Sequence, residues 1–308
     1  MAEIIFVHGI DQQQKSAEVL ENLWLPALAS GVRAAGFPDV ADRIWLKKGK
    51  PGSIEARMAF YGNLFLTQGS QGDNVSKFLP EELEFAELLA LEWLQRVAER
   101  ATKRKTRETG MRELNYVMDR LGVEQGTGRY VRSAAKSLAK ISWFAPFGMG
   151  FAERFVHRSL AQVTRYFTEQ RIRAAAHKSV LDLTGPETKV LIGHSLGSVV
   201  AYEVAHFMNW PLPLLITLGS PLGVQTIIYD RLQPQPPSFP SKVQRWLNVA
   251  DRNDFVAAEP NLEGLFTVGK PESASFEGGF TRDSGAEPHS SSFYLGSQEV
   301  GGPVGKLF

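Results

Sequence analysis

The chain has 308 residues, of which 43% are hydrophobic and 22% charged, the ordinary balance of a folded globular protein. Its formal net charge is +1, so the molecule as a whole does not attract nucleic acid, and we expect no nucleic-acid partner. The chain contains no cysteine, which excludes disulfides, thiolate metal sites and a cysteine nucleophile.

The distribution of apolar residues shows no sign of a membrane span or a secretion signal. No apolar run reaches the roughly 20 residues that a membrane span needs. A strand pattern starts almost at Met1, which leaves no room for a secretion signal. We therefore expect a cytoplasmic protein, with export by a signal-independent route as the alternative.

The first predicted element is the apolar run Ile4-Ile5-Phe6-Val7, typical of a buried strand, which leads into His8-Gly9. A helix is predicted over about 17–35 and a strand over 43–46. We interpret His8 as a structural residue and not as a catalytic base.

The interval of about 50–160 is helical in character and interrupts the alternation of strands and helices. Pro80 opens a long helix, with acidic residues in its first turn where they suit the helix dipole. We therefore predict one domain over 1–308 with an inserted helical cap over about 50–160.

The inserted region is strongly basic in its middle part. From Arg96 to Lys140 there are twelve Lys or Arg and five Asp or Glu. One interpretation is a solvated surface, and the other is attraction to an anionic partner such as a phospholipid membrane.

An aromatic segment with two glycines and a proline follows, from Ile141 to Phe151. Glycine and proline permit hinging and aromatic rings cover apolar surface, so the segment suits a lid over an acyl-binding cleft. Buried packing within the inserted region explains the same residues. Both interpretations stay open.

The most informative motif is Gly193-His194-Ser195-Leu196-Gly197, which follows an apolar strand pattern and precedes a helical one. In a nucleophile elbow a serine lies at the tip of a sharp turn between a strand and a helix. Ser195 is therefore the candidate nucleophile. Ser220 lacks this spacing, and Gly219-Ser220-Pro221 is better explained as a turn after a strand.

A serine nucleophile needs a base and an orienting carboxylate, which follow it as Asp or Glu and then His in one known arrangement. Only His206 and His289 come after the motif. His206 lies about three turns along the following helix, well over 10 Å from the serine, which leaves His289, in a loop. The carboxylate candidates are Asp251 and Asp254, at the end of a strand-like run, and more weakly Asp283.

The oxyanion of acyl transfer needs two backbone N–H donors. Leu196 supplies the first, because it follows the nucleophile. Ile10 is the candidate for the second, because Gly9 lets the chain after the first strand bend towards the site.

These motifs resemble the α/β-hydrolase superfamily, and within it the lipase-like and esterase-like members. The resemblance covers both ends of the chain: Phe6–Gly9, Gly193–Gly197, Leu218–Leu222, Asn248–Val256 and His289–Leu295. It implies an α/β-hydrolase fold with a mostly parallel sheet flanked by helices, the cap inserted between the fold's fourth and fifth strands, and a Ser–Asp–His triad. It favours Asp254 over Asp251 as the triad acid, and it implies no cofactor and no metal.

The expected activity is cleavage of a carboxylic ester through an acyl-enzyme, with a substrate that can be lipid-like because the inserted region is basic and aromatic. Thioesterase, amidase or acyltransferase activity would use the same residues. A third possibility is a non-catalytic module of the same fold that binds a partner or a membrane.

Overall fold

The computed structural model describes residues 1–66, 80–121, 129–141, 149–257, 261–280 and 287–308. Within them, six parallel strands form one sheet in the order β2-β1-β3-β4-β5-β6, flanked by helices. The strands are β1 (Ile4–Val7), β2 (Ala56–Ala59), β3 (Val190–His194), β4 (Leu212–Leu218), β5 (Val243–Ala250) and β6 (Ser275–Phe280). The expected α/β class with a parallel sheet is confirmed.

The apolar runs form the centre of this sheet. Every residue of β1 and of β3 is buried, as expected for strands covered on both faces. Ile5 of β1 pairs with Leu191 of β3, which pairs in turn with Leu215 of β4. Continuous β-branched and leucine runs therefore become central strands.

Helices connect the strands and continue to the C-terminal end. They are α1 (Ala17–Ala34), α2 (Pro38–Ile44), α3 (Pro80–Arg100), α4 (Arg104–Leu121), α5 (Arg129–Ala139), α6 (Met149–Thr168), α7 (Gln170–Leu181), α8 (Leu196–Phe207), α9 (Ser291–Leu295) and α10 (Gln298–Gly305). The helix predicted over 17–35 is confirmed, and it begins where the Ser16 side chain accepts the amide of Val19.

The strand predicted over 43–46 is wrong. Residues 38–44 form α2 instead, and the second strand is β2, twelve residues further on. Pro38 occupies the first turn, where its missing N–H costs nothing, and Asp39 suits the positive end of the helix dipole. Residues 43–46 include three apolar residues, too few to distinguish a strand from a buried helix segment.

The chain divides into two compact units, one formed by Met1–Leu64 and Arg173–Phe308 and the other by Phe65–Ile172. The first contains the sheet. In sequence, the second unit lies between β2 and β3, the second and third of the described strands. It overlaps the interval of about 50–160 that was predicted as a cap. That it covers a site stays a prediction.

The second unit is a helical assembly. Helix α3 begins at Pro80, as predicted, and packs against α4, α5 and α6, burying Leu89, Trp93 and Leu94. Residues 142–148 of the aromatic segment lie outside the described residues. In the part of the chain that is described, no helix combines the length and apolar character needed to cross a membrane.

Candidate active site

The carboxyl ends of parallel strands share one edge of a sheet, and ligands of open α/β sheets bind there. The segments that follow β1, β3, β4 and β5 carry Gly9, Ser195, Gly219 and Asp254, in that order. The topology therefore brings four sequence-distant segments to one edge.

Ser195 lies between β3 and α8 in a strained backbone conformation, with φ 55° and ψ −129°. Only glycine adopts positive φ without cost, and other residues pay about 1–2 kcal/mol. Its N–H donates to the Leu218 carbonyl at 2.9 Å, and its carbonyl accepts the amide of Ser198 at 2.9 Å and the Ser198 hydroxyl at 2.5 Å. These bonds hold the sharp turn.

The glycines of the motif are sterically required. A Cβ at Gly193 would lie 2.4 Å from the Gly197 carbonyl oxygen, and a Cβ at Gly197 would lie 2.2 Å from the Val7 carbonyl oxygen. Both distances are far inside van der Waals contact. The spacing of the motif thus reflects close approach of β3, α8 and β1 around Ser195.

His289 and Asp254 are in direct contact, with Nδ1 of the ring 2.7 Å from Oδ2 of the carboxylate. An ionised carboxylate only accepts, so Nδ1 carries the proton and Nε2 is the nitrogen able to take another. The His289 ring lies 4.6 Å, centroid to centroid, from the ring of His194, the residue before Ser195. The structure thus brings the His289–Asp254 pair next to the turn that holds Ser195.

The Asp254 carboxylate is buried and receives three further donors. Tyr294 Oη donates to Oδ2 at 2.8 Å, and the amides of Val256 and Ala257 donate to Oδ1 at 3.0 and 3.3 Å. Four donors around a buried anion satisfy it and hold its orientation.

The other carboxylate candidates are placed differently. Asp251 is also buried, but its Oδ1 accepts the amide of Asn253 at 2.7 Å, which is an Asx-type turn. Its backbone N–H donates to Tyr294 Oη at 2.8 Å. Asp283 lies outside the described residues.

The two proposed oxyanion donors lie in segments next to Ser195. Leu196 is the first residue of α8, where amides have no partner within the helix. Gly9 packs against the serine so closely that a Cβ there would lie 2.7 Å from Ser195 Cβ and 3.3 Å from Oγ. Ile10 follows Gly9 directly, and its carbonyl accepts Nε2 of Gln12 at 2.9 Å.

His8 is held beneath this loop by backbone groups on both ring nitrogens. Nε2 accepts the amide of Tyr61 at 3.1 Å, so Nδ1 carries the proton and donates to the Gly9 carbonyl at 2.7 Å. Burial lowers the pKa of His8 to about 4. A neutral ring with both nitrogens bonded has the structural role predicted for it.

Two other histidines near α8 are also held neutral. Burial lowers the pKa of His194 well below the usual value, and the neighbouring His289 ring acts in the same direction. His206 lies in the last turn of α8, and burial lowers its pKa to about 4.

Ser220 is buried and bonded within the fold. Its Oγ lies 2.7 Å from Ser198 Oγ and accepts the amide of Leu222 at 3.3 Å. Because Ser198 in turn contacts the Ser195 carbonyl, Ser220 supports the turn from behind.

Gly219 and Tyr294 are contact residues of the pair to which the sequence analysis assigned no role. Gly219 has φ 53°, and a Cβ there would lie 2.7 Å from Asp254 Oδ2, 3.1 Å from His289 Nδ1 and 3.1 Å from Tyr294 Cε2. Both residues belong to segments that carried the family resemblance. The sequence shows where Gly219 and Tyr294 lie along the chain, but not that they contact the His289–Asp254 pair.

Within the described ranges, no group of three or more His, Asp or Glu residues is arranged to hold a metal ion. Comparisons with protein-family models, curated proteins and solved structures gave no match.

Proposed function

We propose that this protein is a serine hydrolase that cleaves carboxylic esters, with an α/β-hydrolase fold. One observation carries the proposal: a His–Asp pair with a 2.7 Å contact lies beside the strained turn that presents Ser195. The order Ser195, Asp254, His289 along the chain is the order of that family. Strained backbone at a strand–helix turn is also typical of functional sites.

In the proposed reaction, Ser195 Oγ attacks the ester carbonyl carbon while His289 Nε2 takes the hydroxyl proton. Asp254 stabilises the resulting imidazolium through Nδ1–H. The amides of Leu196 and Ile10 stabilise the oxyanion. The C–O bond to the alcohol then breaks, and the alcohol oxygen takes the proton from His289. Water, deprotonated by His289, hydrolyses the acyl-enzyme and restores Ser195.

Asp254 is the proposed acid because it contacts His289, whereas the Asp251 carboxylate closes its own turn. The same residues would serve a thioesterase, an amidase or an acyltransferase, because leaving-group contacts determine bond preference. A matched panel of ester, thioester and amide substrates distinguishes these activities.

The test is covalent labelling of the folded protein with a fluorophosphonate probe, followed by peptide mapping. We expect stoichiometric label on Ser195 and none after heat denaturation, because only an assembled site activates the hydroxyl. Ser195→Ala should lose the label and at least about 1,000-fold of any ester turnover.

The matched control is Ser220→Ala, which removes the hydroxyl next to Gly219. The label should stay on Ser195, because the amide and hydroxyl of Ser198 still bond the Ser195 carbonyl. Label on Ser220 or on neither serine, with the protein folded, contradicts the proposal. If neither serine is labelled, a non-catalytic binding module becomes the better explanation.

We also propose that the second unit contacts an anionic lipid surface through α4. One face of α4 packs against α3: a Cβ at Gly110 would lie 2.8 Å from Val97 on α3, and Glu113 and Val117 are buried. The outer face exposes Met111 to 57% and Met118 to 54%. Seven residues apart, these methionines share one side of the helix.

Most of the exposed charge described before and next to Met111 is positive. The exposed side chains of this segment include five basic residues and two acidic ones: Lys103, Arg104, Lys105, Arg107 and Arg112, with Glu108 and Asp119. Exposed apolar side chains on a helix with a basic N-terminal half suit the boundary between phospholipid head groups and acyl chains. A lipid-like ester is the substrate class that this contact favours.

A further inference from the structure

The hydroxyl of Tyr294 joins the two aspartates that follow β5. It donates to Asp254 Oδ2 at 2.8 Å and accepts the backbone N–H of Asp251 at 2.8 Å. The direction of both bonds is determined, because an amide can only donate and an ionised carboxylate can only accept. Tyr294 is fully buried.

The oxygen that Tyr294 contacts is the oxygen that contacts His289. Both donors lie on Oδ2, at 2.8 and 2.7 Å, while Oδ1 is occupied by backbone amides. Burial and the nearby Asp254 raise the pKa of Tyr294 well above its usual value, so the hydroxyl keeps its proton. A second donor on Oδ2 stabilises the carboxylate charge and thereby weakens its attraction for a protonated imidazole.

We propose that Tyr294 is a positioning residue that sets both the orientation and the basicity of the Asp254–His289 pair. The proposal rests on the function proposed above. It is more than packing, because the hydroxyl couples the end of β5, through the Asp251 amide, to the one carboxylate oxygen that meets the base. Helix α9 supplies this hydroxyl five residues after His289.

The titratable groups described around His289 come from three elements. His194 lies at the end of β3, Asp251 and Asp254 follow β5, and Tyr294 is on α9. Burial lowers the pKa of His194 and keeps its ring neutral, so His194 contributes no charge next to the pair. Removal of the Tyr294 hydroxyl therefore acts through Asp254.

The test is Tyr294→Phe, which removes the hydroxyl and keeps the ring. We expect kcat to fall about tenfold with KM within about twofold, since one bond to a charged group is lost and substrate contacts are not. The acidic limb of the kcat/KM profile should move to higher pH, because the imidazolium is held more strongly and a higher pH is needed to free the base. A packing role alone would not move this limb.

The matched control is Tyr202→Phe. Tyr202 is fully buried, and its hydroxyl donates to the Ser238 carbonyl at 2.9 Å and accepts the Ser238 amide at 3.0 Å. This variant loses a tyrosine hydroxyl that is equally buried but is hydrogen-bonded only to backbone groups. It should lower the melting temperature about as much as Tyr294→Phe while leaving the pH profile unchanged.

A second measurement does not depend on turnover. The proton between His289 Nδ1 and Asp254 should give a low-field NMR resonance that Tyr294→Phe shifts further downfield and Tyr202→Phe leaves in place. An unshifted resonance and an unchanged pH limb in folded Tyr294→Phe overturn the positioning role. If the resonance responds as expected but Ser195 is neither labelled nor needed for turnover, the proposed hydrolase function fails while the coupling of Tyr294 to Asp254 stands.

Discussion

Ser195 shows how a single residue is held in a costly conformation. Its positive φ is maintained by three backbone and side-chain bonds and by two glycines that let neighbouring chains approach. A serine in a solvated turn needs none of this support. Strained backbone of this kind is typical of functional sites, which supports Ser195 as the proposed nucleophile.

Gly219 is the residue whose substitution tests the site most simply. In Gly219→Ala the new Cβ would lie 2.7 Å from Asp254 Oδ2 and 3.1 Å from His289 Nδ1, so the Asp254 carboxylate or the local backbone must shift. We expect ester turnover or probe labelling to slow at least about 100-fold, as displacements near 1 Å do at catalytic groups.

The control for this variant is Gly49→Ala. Gly49 also has positive φ, 72°, but a Cβ there meets nothing within 4 Å. In both variants the strained backbone lowers the stability by about 1–2 kcal/mol, and only Gly219→Ala disturbs the His289–Asp254 pair. Equal activity of the two variants, measured at matched folded fractions, would show that Gly219 has no special relation to the site.

At the scale of elements, α4 carries the membrane prediction. The protein should co-sediment with phosphatidylglycerol-containing vesicles at low salt and not with pure phosphatidylcholine vesicles. Arg104→Gln with Arg107→Gln should weaken binding roughly tenfold or more, at about 1 kcal/mol for each basic residue near an anionic surface. Met111→Ser with Met118→Ser should weaken it further and leave its salt dependence unchanged.

The control is Leu23→Ser on α1, which removes an exposed apolar side chain of similar exposure, 48%, from the other unit. Ser195→Ala should bind vesicles as the parent does, since contact with lipid precedes chemistry. Binding that survives all α4 changes, or is absent from the parent, would rule out α4 as the lipid-contacting face.

Short elements were where prediction from sequence was weakest. Helix α2 overlaps the residues predicted as a strand, and β2 lies in the interval predicted to be helical, because propensity over a few residues is easily outweighed by tertiary contacts. Helix α3 was predicted correctly because a proline start and a long apolar face act together over 21 residues.

For the whole molecule, the buried neutral histidines predict loss of stability in mild acid. The folded pKa of His8 is about 4, below the unfolded value of 6.5. A lowered folded pKa means that this stability is fully present above pH 6.5 and is lost as the pH falls towards 4. For His8 the loss is about 3 kcal/mol. His194 and His206 add to it in the same direction.

Chemical denaturation between pH 7 and 4 measures this loss. His206→Phe removes one of the three groups and keeps a ring against Tyr202, which contacts the His206 ring at 5.0 Å. Its free energy of unfolding should fall less steeply over this range than that of the parent. Parallel slopes would mean that His206 is protonated in the folded protein as easily as in the unfolded one.

The order of motifs along the chain was enough to predict a parallel α/β sheet, Ser195 at a strand–helix turn, and His289 as the partner of an aspartate. The strand, the turn and the helix around Ser195 follow from local patterns: an apolar run, two glycines at fixed spacing, a helical period. The pairing of His289 with an aspartate was predicted from the order of the residues along the chain.

The contact of His289 with Asp254, and the places of Gly219 and Tyr294 against that pair, became visible only in the folded chain. Asp251 and Asp254 share one loop and the same kind of neighbours in sequence. What distinguishes them is the direction in which each carboxylate points when β5 joins the sheet and α9 returns to it. Such contacts join residues about 35 to 75 positions apart, so no pattern within one segment encodes them.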